Sequence, residues 1–170
     1  MSAHEHQQFI ETWDWEAQKT AELLRSLPAT SYDFRPDPKG RSIGEMAWHL
    51  SEGDAYMTWG IENGFSPGMK PPGIERPRTI AELAPGYERI HADAKERIRK
   101  LRPEDLERKI KYFDGNEMAV IDILWNGLLL HLVHHRGQLA MLCRLAGGTS
   151  PGMYGPNREE MAALRAAAGS

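Results

Sequence analysis

The longest and most apolar segment of the chain runs from Met118 to Ala146 and reads MAVIDILWNGLLLHLVHHRGQLAMLCRLA. Its leucines recur at the three- to four-residue spacing of a helix face, which predicts one long helix over 118–146. Gly147 follows directly, a residue typical of helix C-termini. A helix this apolar needs other helices to cover it, and the rest of the chain offers them.

Three further segments repeat their apolar residues at helical spacing. Ser42 and Glu45 form a capping-box pattern at the start of one of them, and Thr79 and Glu82 repeat it at the start of another. Four long helices predict an all-α fold, a four-helix bundle, in a single domain over 1–170. The three other predicted helices span 5–26, the stretch from Ser42 to Gly64, and 79–101.

The connections add detail to this bundle. The loop 64–78 reaches roughly 45 Å when extended, whereas a 20-residue helix is only about 30 Å long. Such a long crossover allows the second and third helices to run parallel. Alternation within 108–119 around Asp114-Gly115 predicts a small β-hairpin with a primed turn. The alanine-rich stretch 157–168 predicts a short C-terminal helix.

Composition excludes several classes of function. The chain has 170 residues and a net charge of −3, so it lacks the basic excess that binds a nucleic-acid backbone. One cysteine excludes an internal disulfide framework. No apolar run approaches the roughly 20 residues of a membrane span, and the N-terminus lacks the pattern of a signal peptide. We therefore expect a cytoplasmic protein that binds neither nucleic acid nor membrane.

His131 and His135 stand inside the leucine stripe of the long helix. At i and i+4 their side chains lie about 40° apart on the helix, the geometry by which one helix presents two imidazoles to a metal ion. The alternative is that both are core histidines satisfied by hydrogen bonds. Gln138 falls on the same side and is a candidate to hydrogen-bond a ligand or water, whereas His134 falls at the edge of the stripe.

A third ligand is needed, and His49 on the second predicted helix is the candidate. Glu45 and Glu52 border it at i−4 and i+3, where either could orient the imidazole, supply a fourth ligand or act as a base. The remaining histidines lack such a setting and are expected to be solvated; they include His4, His6 and His91.

Three other side chains near these positions have two interpretations each. Trp48 and Tyr56 flank His49 and either line a pocket or simply pack. Arg136 follows His135 and either binds an acidic group of a substrate or forms a salt bridge.

The stretch SIGEMAWH at 42–49, followed by HLVHHRGQL at 131–139, resembles the DinB family, the DinB/YfiT group of small metal-binding four-helix bundles. The stretches 32–36 and 153–156 also fit this family. The resemblance implies an up-down-down-up bundle with His49, His131 and His135 as the metal triad and His134 as a common neighbour. We also expect a homodimer.

Three neutral imidazoles would leave a divalent ion its full charge and an open position. Imidazole ligands accept zinc, nickel, iron or copper. Such an ion can activate water for hydrolysis, or a thiol for transfer to an electrophile. The resemblance favours a thiol-dependent S-transferase, whose partners are a small-molecule thiol and an electrophile. The alternatives are a metal-dependent hydrolase and a non-catalytic metal-binding protein of the stress response.

Overall fold

The structure is a computed structural model that describes residues 3–169. It is mostly helical with one small hairpin, as the sequence predicts. None of the described helices is long and apolar enough to cross a bilayer. In chain order the elements are α1 (Ala3–Ser26), α2 (Ile43–Asn63), α3 (Ile80–Arg99), α4 (Pro103–Leu106), β1 (Lys109–Lys111), β2 (Glu117–Ala119), α5 (Val120–Asp122), π1 (Ile123–Leu130), α6 (His131–Leu145) and α7 (Arg158–Ala168).

The predicted fourth helix is divided into α5, π1 and α6, which follow one another without a break. The π-helical turn π1 ends immediately before His131. Because a π turn holds more residues than an α turn, a single α periodicity over 118–146 is wrong upstream of His131. Leu128 in π1 and Leu139 in α6 are nevertheless both buried, so the helix keeps one apolar side towards the core.

Side-chain pairs establish the direction of α2 relative to α3. Asp54 of α2 contacts His91 of α3 at 2.8 Å, and Glu62 contacts Arg97 at 3.5 Å. Residue numbers therefore rise together in the two helices, which run parallel. The long connection 64–78 makes this possible, since it carries the chain back to the start of α2.

Contacts between α1 and α6 also pair rising residue numbers. Arg136 donates a hydrogen bond to the backbone oxygen of Glu16 at 2.8 Å, and the thiol of Cys143 lies 3.9 Å from the oxygen of Ser26. These two helices run parallel to each other. Met46 of α2 lines a cavity with Leu142 of α6, whereas Tyr56 lines one with His131, so α2 runs opposite to α6. The directions are consistent with the up-down-down-up order that the family resemblance implies.

Buried apolar side chains fix the rotation of α2 and α6 about their axes. Met46 and Leu50 of α2 share one apolar cluster with Leu132 and Leu139 of α6. Fully burying a leucine contributes about 1.5–3 kcal/mol, so this packing holds the two helices in one register. His49 lies between Met46 and Leu50 in sequence and is carried to the same interface.

The two predicted capping boxes differ in outcome. At α2 the Oγ of Ser42 accepts from the amide of Glu45 at 3.2 Å, and the Glu45 carboxylate accepts from the amide of Ser42 at 2.8 Å. At α3 the prediction is wrong, because the side chain of Thr79 makes no capping bond to the backbone. Its hydroxyl donates to the carboxylate of Glu82 at 2.6 Å instead.

The hairpin is present, with Lys111 paired to Glu117. Its predicted primed turn is wrong. The amide of Gly115 donates to the oxygen of Tyr112 at 3.0 Å, and the amide of Tyr112 donates to the oxygen of Asn116 at 2.8 Å. Gly115 has φ +83°, so the loop is a three-residue turn closed by a glycine in the left-handed region.

Candidate metal centre

Three histidines from two helices meet at one point of the bundle. His49 of α2, His131 and His135 of α6 each offer a nitrogen, and these nitrogens all lie within 4.8 Å of one another. The Nε2 atoms of His49 and His131 are 3.2 Å apart. The ring of His135 lies 4.6 Å from that of His49 and 4.3 Å from that of His131, measured between centroids.

These distances fit a metal ion. Zinc–nitrogen bonds of about 2.0–2.1 Å at tetrahedral angles place two ligand nitrogens about 3.3 Å apart. The observed 3.2 Å between His49 and His131 agrees with that separation. A hydrogen bond between His49 and His131 would have the same length. Such a bond would not explain why the ring of His135 lies at the same point, whereas a metal ion bound by all three would.

The surroundings of His131 and His135 favour the neutral form of these two imidazoles. Burial, and to a smaller extent the neighbouring rings of His135 and His49, lower the pKa of His131 to about 4. Burial also lowers the pKa of His135, although its hydrogen bond to Gln138 acts in the opposite direction. A neutral imidazole has a free lone pair, so both residues are ready to bind a metal at pH 7.

Hydrogen bonds orient two of the three rings. Nδ1 of His135 lies 2.7 Å from Oε1 of Gln138, and Nδ1 of His49 lies 3.3 Å from Oε2 of Glu52. With these partners each Nδ1 carries the proton and each Nε2 is left for a metal, the arrangement typical of metal-ligating histidines. The amide nitrogen of Gln138 also bonds His134, which is itself exposed.

The two candidate carboxylates have different positions. Glu45 caps α2 and forms ion pairs with Arg35 at 3.1 Å and Arg76 at 3.6 Å. The capping bond from Ser42 and these two guanidinium groups lower its pKa. Glu52 contacts His49 and faces the cluster, so of the two predicted acids only Glu52 is placed to act on it.

A cavity of about 330 Å³ opens beside His49 and His131. Tyr56 lines it together with Glu52, Met57 and Phe113. Trp48 does not line this cavity: it is buried, and its indole nitrogen donates to the oxygen of Ile74 at 2.9 Å. Of the two predicted aromatic pocket residues, Tyr56 is therefore at the site and Trp48 is packed in the core.

Arg136 forms a salt bridge, one of its two predicted roles, and does not face the cluster. The residue is 1% exposed, and its guanidinium is paired with the carboxylate of Glu16 on α1. It also contacts the hydroxyl of Tyr154 at 2.6 Å. A substrate at the histidine cluster cannot reach this group, because its donors point into the interface with α1.

The prediction that His91 is solvated is wrong. His91 is buried, with Nδ1 2.8 Å from the carboxylate of Asp54 and Nε2 3.3 Å from Asp14. Asp54 is itself completely buried and also accepts from the indole of Trp13. Nothing in the local sequence marks this cluster, because its members lie on three different helices. His6 is also half-buried, 3.0 Å from the oxygen of Ile98.

Sequence reasoning also missed Arg41, which precedes the helix cap Ser42. Its charge contributes to the lowered pKa of both His131 and His135. The one feature of the sequence that could have pointed to Arg41 is its position directly before the helix that carries His49.

The comparisons agree with this architecture. The sequence profile described as DinB family matches residues 1–168. A Bacillus subtilis (strain 168) protein called uncharacterized protein YrdA is 29% identical over 158 residues, covering 91% of this chain and 90% of that protein. A DinB-like protein from Bacillus cereus ATCC 10987 superimposes with a TM-score of 0.73 at 28% identity, over 86% of this chain and 95% of the other.

A second solved structure, the DinB-like protein YjoA of Bacillus subtilis, superimposes with a TM-score of 0.69 at 22% identity. The match covers 89% of this chain and 99% of the other, and it shows the shared fold. With the profile matching nearly every residue, the chain belongs to the DinB family.

Proposed function

We propose that the protein binds one divalent transition-metal ion through His49, His131 and His135 and uses it to transfer a small-molecule thiol to an electrophile. The observation that carries the proposal is the composition of the cluster. Among residues 3–169, the ligand atoms that lie within 4.8 Å of one another at this point belong to three imidazoles, and the carboxylate of Glu52 contacts this group through Nδ1 of His49. Neutral ligands leave the charge of a divalent ion uncompensated, which favours an anionic ligand such as a thiolate.

When bound, a divalent ion supplies a Lewis-acid centre that lowers the pKa of a coordinated thiol or water. The residues of the chain have two tasks around it. Gln138 and Glu52 hold the rings of His135 and His49 in place. The cavity beside Tyr56 and Phe113 has an aromatic wall that suits an apolar electrophile. In the transfer, sulfur bonds to the electrophilic carbon, the leaving group departs with its bonding pair, and the thiol proton passes to solvent.

Hydrolysis is the second candidate, and the position of Glu52 favours it. The carboxylate lines the same cavity as His131 and lies 3.3 Å from His49, so it is near enough to act as a general base on water. A hydrolase would lose activity on the change Glu52→Gln while keeping its metal. A thiol transferase would keep most of its activity, since a thiol bound as thiolate needs no base.

Metal content tests the binding step. The protein is purified without nickel resin and its metals are quantified by mass spectrometry. We expect one divalent ion per chain, lost in His131→Ala/His135→Ala and largely kept in His134→Ala, whose side chain is exposed. Metal content that survives the double change would refute the triad.

Cobalt-substituted protein tests the chemistry. A sulfur-to-cobalt charge-transfer band on addition of a thiol supports the transferase. If no common cellular thiol produces the band, and metal-dependent ester or amide hydrolysis is present, the assignment moves to hydrolase. Absence of both would leave a metal-binding protein without catalysis.

The expected homodimer remains a prediction. Large apolar side chains are exposed along π1 and α6 at Leu130, Met141 and Leu145, each more than half accessible. Such a face is typical of an interface between subunits. Light scattering on the full chain measures the oligomeric state directly.

A further inference from the structure

The three-histidine cluster lies between two cavities. The helices α2 and α6 run in opposite directions, and the cavity beside Tyr56 occupies one side of the cluster along them. A second cavity of about 320 Å³ occupies the other side, where Met46 of α2 faces Gln138 and Leu142 of α6. Gln138 joins this second cavity to the cluster, since its side chain also bonds His135.

Arg41 supplies the cation of the second cavity. Its side chain is exposed and lines the space together with Pro36 and Met141. Within residues 3–169 its guanidinium makes no hydrogen bond or ion pair, whereas the nearby Arg35 and Arg76 are both paired with Glu45. A guanidinium carries five donors in a planar fork that matches a carboxylate. Arg41 is therefore available to an anionic ligand.

The charges of the two cavities differ. Asp37 also lines the Arg41 cavity, but its Oδ1 accepts the backbone amide of Lys39 at 2.9 Å and so belongs to the turn of the loop. Among the described residues, those that line the cavity beside Tyr56 include the carboxylate of Glu52 and no lysine or arginine. An anion is attracted at one side of the cluster by Arg41 and repelled at the other by Glu52.

We propose that Arg41 binds the carboxylate of a small organic ligand whose other end reaches the three histidines, and that it thereby selects the thiol substrate. The ligand is a carboxylate with a short apolar body, held between Met46, Met141 and Leu142. The cavity beside Tyr56 is left for the uncharged electrophile. The proposal rests on the metal-binding function proposed above, and it adds the chemical class of one substrate and the residue that recognises it.

The test measures binding to full-length, cobalt-substituted protein rather than turnover. Two thiols of nearly equal size are titrated, the anion 3-mercaptopropionate and the neutral 3-mercaptopropionamide, and the charge-transfer band gives each Kd. We expect the anion to bind at least about tenfold more tightly, as a charge-assisted hydrogen bond implies. Arg41→Gln should remove the difference. Lys39→Gln should keep it, because Lys39 has the same charge but does not line the cavity.

A third compound, without a thiol, separates this proposal from the proposed function. Butyrate has the carboxylate and the apolar body but no thiol, and calorimetry gives its Kd for the same three proteins. We expect Arg41→Gln to weaken butyrate binding about tenfold and Lys39→Gln to leave it unchanged. If neither thiol gives a band, the transferase function fails while the butyrate series still decides the role of Arg41. No butyrate binding, or binding that Arg41→Gln changes by less than about twofold, overturns the role of Arg41.

Discussion

Arg136 and Glu16 form an ion pair inside the bundle, between the helix that carries His131 and His135 and the first helix of the chain. Both side chains are almost fully buried, and the hydroxyl of Tyr154 contacts both of them. The pair fixes how α6 sits on α1. Since Arg136 follows His135 directly, it also limits the rotation of the histidines towards α2.

Breaking this pair should be costly. Glu16→Gln leaves a buried guanidinium without its counter-charge, and we expect a loss of about 3 kcal/mol in the free energy of unfolding. Urea denaturation measures it. Arg144→Gln is the control, because it removes an ion pair with Glu159 at the surface and should have a much smaller effect. Equal effects of the two changes would show that burial of the Arg136 pair contributes nothing.

Asp54 is predicted to stabilise the fold without affecting metal binding. Asp54→Ala removes the acceptor of both His91 and Trp13, which stay buried, and should cost about 1–3 kcal/mol. Asp93→Ala on the exposed face of α3 is the control. Metal analysis of both variants should match the parent protein. Loss of metal in Asp54→Ala alone would mean that this cluster positions the histidines.

Stability of the metal-free protein should depend on pH through His131. Its pKa is lowered in the folded state from 6.5 to about 4, so the unfolded chain binds a proton in this interval and the folded chain does not. The contribution of His131 to the free energy of unfolding is complete above pH 6.5 and is lost as the pH falls from 6.5 towards 4. Below pH 4 it changes no further. Urea midpoints between pH 4 and 7.5 give the slope. His131→Ala should flatten it, and a change at the exposed His4 should not.

Two glycines should respond oppositely to alanine. A Cβ at Gly86 would lie 2.8 Å from the ring of Trp48, which is buried and cannot move away, so Gly86→Ala should destabilise the fold. A Cβ at Gly137 on α6 meets nothing within 4 Å. Gly137→Ala should therefore raise the free energy of unfolding by about 0.5–1 kcal/mol through helix propensity alone. Thermal melts of the two variants measure both effects. A shift of Tm in the same direction for both variants would contradict the packing at Trp48.

Local patterns in the sequence are enough to predict the helices and part of the cluster. Apolar spacing and the Ser42 capping box are local, so α1, α2, α3 and α7 begin and end near the predicted residues. The i, i+4 spacing places His131 and His135 on one face of any helix that contains them. That these two residues lie next to His49 was implied by the family resemblance, because no local pattern in the sequence relates residues 82 positions apart.

The side chains that surround the cluster depend on how the helices pack. The sequence predicted that His91 is solvated. It is buried instead, because α3 directs its side chain towards Asp54. Arg136 is adjacent to a cluster residue yet points to Glu16, whereas Arg41 precedes α2 and contributes to the electrostatics of the cluster. Each outcome depends on the direction and rotation of packed helices. The direction and rotation of the helices are set by the apolar burial over the whole interface, and this burial cannot be predicted from any short stretch of sequence.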